Sequence, residues 1–69
     1  MKISARNQLK GKVKEVKRGS VMAEVVVTLP DGQEIVSAIT LGSVQTLNLQ
    51  VGDDVTAIIK STEVMIGKD

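Results

Sequence analysis

Sixty-nine residues suffice for one domain and no more, and a single core of that size supplies only about 3–5 kcal/mol without disulfides, a metal or partner subunits. Cys and His are absent, excluding disulfides and the usual zinc sites, and the lack of Phe, Tyr and Trp leaves aliphatic residues alone to fill the core, so association is the remaining support. Nine basic and eight acidic residues give a net charge of +1, too little to steer the chain onto nucleic acid, and no apolar run is long enough for a membrane span or a signal peptide, so a cytoplasmic protein with no membrane partner is expected.

The first extended segment runs from Gln8 to Arg18, where Leu9, Gly11, Val13 and Val16 alternate with lysines until Arg18-Gly19-Ser20 breaks it. Gly11 marks a bulge or a bend, and the basic residues Lys10, Lys12, Lys14, Lys17 and Arg18 read as a solvated strand face. Val21 to Leu29 is a strand with apolar residues at 21, 23, 25, 27 and 29, followed by the turn signal Pro30-Asp31-Gly32 and a return strand from Glu34 to Thr40. Ser43 then caps a short helix over Val44–Leu47, too short to be stable unless it docks on the sheet. A turn at Gly52-Asp53-Asp54 leads into a strand from Val55 to Ile59, and Val64-Met65-Ile66 is expected to add a last short one.

This order fits an all-β fold, a small five-stranded OB-like Greek-key barrel with one short helix between strands 3 and 4. An SH3-like barrel or a small open sheet fits the same pattern. Val55, Ala57 and Ile59 point inward, which leaves Ile58 on the outer face, with Val26 and Met22 also displaced from the inward set. In a chain short of burial, these outer apolar residues are expected at an interface between copies.

Two polar patches lie at the ends of this scaffold, Ser4-Ala5-Arg6-Asn7-Gln8 and Lys60-Ser61-Thr62. Between them they offer hydroxyls, an amide, a guanidinium, an ammonium and backbone N–H groups, and neither contains Asp or Glu. Such donors suit a ligand that only accepts hydrogen bonds, a fully deprotonated tetrahedral dianion such as sulfate, molybdate or tungstate. A protonated phosphate would require an acceptor opposite its proton. On composition alone, a solvated polar surface accounts for the same residues.

Lys2-Ile3-Ser4-Ala5-Arg6-Asn7-Gln8-Leu9-Lys10-Gly11, Ile39-Thr40-Leu41-Gly42-Ser43-Val44 and the run from Val55 to Ile66 together resemble the molbindin (Mop) family over essentially the whole chain and in the same order. The pairing of Ser-Ala-Arg-Asn-Gln with Lys-Ser-Thr about fifty residues later gives the resemblance its specificity. It implies one Mop domain over 1–69, assembled as a hexamer, a trimer of dimers, that buries molybdate or tungstate between subunits. On the family pattern Ser4, Ala5, Arg6, Lys60 and Ser61 of one subunit face Ser43 of a neighbour. No side-chain signature maps a second class of site.

The resulting expectation is a non-enzymatic protein that binds molybdate or tungstate for storage or homeostasis. A nucleic-acid-binding OB module is the alternative, disfavoured because no aromatic residue is available to stack a base. A structural or regulatory module without a ligand is another. Catalysis lacks material: there is no His, Cys or convergent carboxylate pair, and Lys60 and Ser61, as strand neighbours, would point to opposite faces.

Overall fold

Alternating β-branched residues and three turns commit most of the chain to an antiparallel sheet. The computed structural model describes residues Met1–Asp69. In chain order they form β1 (Asn7–Arg18), β2 (Met22–Thr28), β3 (Glu34–Thr40), α1 (Leu41–Leu47), β4 (Asp54–Ile59) and a 3-10 turn over Ser61–Glu63. The strands lie in the order β3-β2-β1-β4. Three hairpin-linked strands are thus followed by a fourth that returns beside the first, which is Greek-key topology. The fold is all-β and OB-like, with four strands where five were expected. Val64-Met65-Ile66 pairs with no sheet edge, and Met65 and Ile66 stand 93% and 90% exposed.

The 12-residue β1 organises the sheet. Its first half pairs with β4, from Asn7 opposite Ile59 to Lys12 opposite Asp54. Its second half pairs with β2, from Lys12 opposite Thr28 to Arg18 opposite Ala23. The bulge lies at Lys14, where the register slips between Val13 and Glu15, and not at Gly11. Gly11 answers a different constraint: a Cβ there would lie 2.6 Å from the Thr28 carbonyl oxygen and 2.7 Å from Val27 Cγ1. Only glycine lets β1 bend that closely over β2.

β2 opens one residue later than its pattern suggests. The Gly19 N–H donates to the Met22 carbonyl and closes a turn over Ser20 and Val21, leaving Val21 exposed. The β2–β3 turn has Pro30 and Asp31 at its centre, with the Gly32 N–H donating to the Leu29 carbonyl. Gly32 follows at φ 92°, a left-handed conformation that glycine adopts without strain. The 3.6-residue period of α1 puts Val44 on the sheet at 1% exposure, beside Val13, Ala23, Val25 and Val27. Its C-terminus closes on left-handed Asn48, whose N–H reaches the Gln45 and Val44 carbonyls.

Two expectations about faces need correction. Ser43 is not the helix cap: Thr40 is, its side chain accepting from the Ser43 N–H, because the helix begins three residues earlier than its apolar spacing suggests. Val26 is not an exposed interface residue, since it is buried within the chain although outside the main core cluster. Met22 and Ile58 do stand exposed, as does Val36. The β3 and β4 edges do not pair with each other, and an apolar cleft of about 320 Å³ opens between them, lined among others by Ile35, Val36, Ile58 and Ile59.

Candidate functional site

The register of β1 on β4 decides which polar residues meet. Asn7 opposite Ile59 is the last pair of that ladder, so Arg6 and Lys60 leave the sheet side by side. Ser4-Ala5-Arg6 and Lys60-Ser61, far apart in sequence, therefore occupy one end of the molecule. Lys60 breaks the strand at φ −58° and ψ 135° and starts the 3-10 turn, in which the Glu63 N–H donates to the Lys60 carbonyl at 2.9 Å and the Val64 N–H to the Ser61 carbonyl at 3.4 Å. A turn directly after β4 aims consecutive side chains away from strand alternation.

On the other side of the cluster, the Gln8 side-chain amide donates to the Ala5 carbonyl at 2.7 Å. This bond ties the irregular Ser4–Arg6 segment to the start of β1. Ser4, Arg6, Lys60 and Ser61 are all exposed, and Arg6 and Lys60 have no ion-pair partner within the chain. Glu63 lies close in sequence to Lys60 but forms no bridge to it. Two cations with no bridged acid, each next to a hydroxyl-bearing segment, form a donor set whose chemistry suits an anion.

Ser43 is at the far end of the scaffold. Its neighbour Thr40 pairs with Met22, close to the Arg18 end of β1, whereas Lys60 follows the Asn7 end. Along β1 one chain thus separates Ser43 from the other candidates. The Ser43 N–H is already engaged by Thr40 Oγ1 at 3.0 Å, so the hydroxyl, 2.8 Å from Thr40 Oγ1, is the group Ser43 has to offer.

The basic stripe of β1 is largely neutralised. Lys12 pairs with Asp54 at 2.8 Å, Lys14 with Glu34, and Lys17 approaches Glu15 at 3.9 Å. The Glu34 hydrogen bond and charge raise the Lys14 pKa above its ordinary 10.5, and the Gln33 side-chain amide holds Asp31 below its ordinary 3.8. A larger cleft, about 650 Å³, runs beside Lys10, Lys12, Thr28, Asp54 and Thr56 and includes none of the sequence-derived candidates. No group of three or more His, Cys, Asp or Glu residues is placed to hold a metal ion. No helix is long and apolar enough to cross a membrane.

The TOBE domain family model matches residues 3–66, nearly the whole chain. The chain belongs to the TOBE domain family. Within it, the chain is 54% identical over 66 residues to molybdenum-pterin-binding protein 3 of Clostridium pasteurianum, covering 96% of this chain and 97% of that one. Its fold is similar to MopII from the same organism in a form called apo2, with a TM-score of 0.92 at 52% identity over 97% of this chain and all of the other. A solved molybdate binding protein from Sporomusa ovata is as similar, with a TM-score of 0.93 at 50% identity over 99% of this chain and all of that one. These similarities make the chain a Mop-type member of the TOBE family.

The sequence does not reveal the roles of two residues beside the candidate positions, Thr40 and Gln8. Thr40 was hidden because Ser43, at the edge of the apolar spacing, looked like the cap. Gln8 ends the Ser-Ala-Arg-Asn-Gln motif, but nothing in spacing shows that its amide turns back on Ala5.

Proposed function

We propose that this protein binds molybdate, or its analogue tungstate, as a fully deprotonated tetrahedral oxyanion at sites shared between copies of the chain, and that it stores or buffers the anion in the cytoplasm. The observation that carries this reading is the convergence of Ser4-Ala5-Arg6 with Lys60-Ser61 at the β1–β4 end, two cations and several donors with no acid bridged to them. Relatives more than 50% identical over nearly their whole length, named for molybdenum binding, favour the same anion.

Sites between copies follow from two features. Ser43 lies at the opposite end of β1 from Arg6 and Lys60, so a neighbour is the natural source of its hydroxyl. Only 6 of 69 residues are buried in the isolated chain, and apolar residues stand exposed on both free sheet edges, so association supplies the missing burial. A homohexamer built as a trimer of dimers, with residues 1–69 as a single domain, is the assembly we favour. The chain has no His or Cys, and its relatives are named for binding, which supports a binding role rather than turnover.

The relatives' names mention a pterin, but a planar ring is ordinarily held by stacking on aromatic side chains, of which this chain has none. Bare oxyanion is therefore the better ligand. Isothermal titration with molybdate, tungstate, sulfate and phosphate tests the reading, with elemental analysis and native mass on the same preparation. Tight molybdate and tungstate binding by an oligomer is expected, and sulfate or phosphate binding equally well removes the proposal. Arg6→Ala and Lys60→Ala should each weaken molybdate by about 10- to 100-fold, the scale of a lost charge-assisted hydrogen bond. Unchanged uptake by both variants would place the anion elsewhere.

A further inference from the structure

Most of the candidate positions stand on regular structure. Lys60 follows β4 directly and opens a 3-10 turn closed by main-chain bonds, from the Glu63 N–H to the Lys60 carbonyl and from the Val64 N–H to the Ser61 carbonyl. Ser43 lies within α1, its N–H held by the Thr40 cap. Ser4, Ala5 and Arg6 have no such support. They precede β1, which begins at Asn7, and belong to no ladder or helix. Of Met1–Arg6 only Ala5 is even half-buried, so packing does little to fix the segment. One hydrogen bond joins it to the rest of the chain, from Gln8 Nε2 to the Ala5 carbonyl at 2.7 Å.

The placement of that bond makes it effective. Gln8 sits in the β1–β4 ladder opposite Ile58, so its amide is carried on fixed backbone. Reaching back three residues, the amide closes a loop of β-turn size, with a side-chain N–H in the place of the main-chain donor. Arg6 is thereby held from both sides, by Asn7 in the ladder and by the pinned Ala5 carbonyl. In a trans peptide the carbonyl of one residue and the N–H of the next point in opposite directions, and this chain contains no cis bonds. The Arg6 N–H therefore faces away from Gln8, and it donates to no acceptor within the chain.

We propose that Gln8 is a positioning residue for oxyanion binding: by pinning the Ala5 carbonyl, its side-chain amide holds the Arg6 N–H and the Ser4–Arg6 segment in place before the anion arrives. The inference rests on the oxyanion reading above and names the group that preorganises one side of that site. Ordering a free backbone segment has an entropic cost that binding otherwise bears. Apparent affinity falls in proportion to the fraction of molecules in which the segment is in place. Every oxyanion that reaches the Arg6 N–H gains by the same factor, so Gln8 acts on strength of binding and not on the choice among anions.

The experiment compares the full-length parent with Gln8→Met, which keeps length without a donor, and Gln8→Asn, whose shorter amide does not reach Ala5. Molybdate and tungstate are titrated calorimetrically, native mass is recorded for each variant, and heteronuclear NOE values of the backbone amides are measured without anion and with saturating molybdate. Both variants should bind both anions about three- to tenfold more weakly, the scale of one net hydrogen bond, at unchanged assembly mass. Without anion, the Ala5 and Arg6 amides of the variants should show lower NOE values than the parent's while those of β1 and β4 do not change, and saturating molybdate should remove the difference. Unchanged affinity overturns the proposal. So does weaker binding with Ala5 and Arg6 amides as rigid as the parent's, or with a smaller assembly, because Gln8 would then act through some other contact. A parent that fails to bind molybdate would remove the oxyanion reading itself, an outcome seen before any variant is made.

Discussion

Single residues carry constraints that composition hides. Gly11 is required by proximity: Gly11→Ala drives a methyl into the Thr28 carbonyl and Val27, and backbone must move to admit it. A loss of about 1–3 kcal/mol in denaturant unfolding is expected, and a variant as stable as the parent would show that β1 and β2 do not cross so tightly. Lys14 and Asp31 each add a small pH-dependent contribution. Because Glu34 raises the folded-state pKa of Lys14, the pair's stabilisation is fully present below 10.5 and disappears as pH rises through the higher folded value. For Asp31, held low by Gln33, the contribution is present above 3.8 and disappears as pH falls through the lower folded value. Both groups are solvent-exposed, so the effects are small and salt-sensitive. Thermal melts from pH 9 to 12 should lose stability less steeply in Glu34→Gln than in the parent. Equal slopes would mean that Lys14 and Glu34 do not interact in solution.

At the scale of elements, α1 is held by its ends and by one buried side chain. Thr40→Ala removes the cap and should cost about 1 kcal/mol in unfolding free energy, while Thr40→Ser should restore most of it. No loss in the alanine variant would show that Val44 docking alone fixes the helix. Much of the fold was legible because β2, β3 and β4 follow a two-residue period: Ala23, Val25 and Val27 went inward, and Ile58 went out. The helix start was misplaced because Leu41 and Gly42 carry no apolar rhythm, so that only the Thr40 hydroxyl marks it. The bulge at Lys14 was illegible for a related reason: Val13 and Val16 fit both a bulged and a regular strand, and only the register on β2 decides. The final strand failed because Val64-Met65-Ile66 has the right residues but no ladder partner in the chain. The polar ends could be linked through family resemblance, yet their convergence is a matter of β1–β4 register, and the Gln8 bond depends on a rotamer.

The whole molecule is underburied as a lone chain. Its core cluster is five small or medium aliphatic side chains, without an aromatic ring or a disulfide, and the β3 and β4 edges leave a cleft lined mainly by apolar residues. In the proposed assembly such a chain gains much of its stability from neighbours, and unfolding is then coupled to dissociation. The unfolding midpoint should therefore rise with protein concentration across a 100-fold range, because dilution favours the unfolded monomer. Molybdate should raise it further. A ligand that bridges copies binds only the assembled form, so at free anion 100-fold above Kd each site adds about 2.7 kcal/mol. The two effects should also interact, with saturating molybdate flattening the dependence on protein concentration over the range in which the anion holds the assembly together. Differential scanning calorimetry at several protein concentrations, with and without molybdate, measures both. A midpoint indifferent to dilution would mean that the isolated chain is self-sufficient, and one that rises with molybdate without any change in concentration dependence would place each anion within a single subunit.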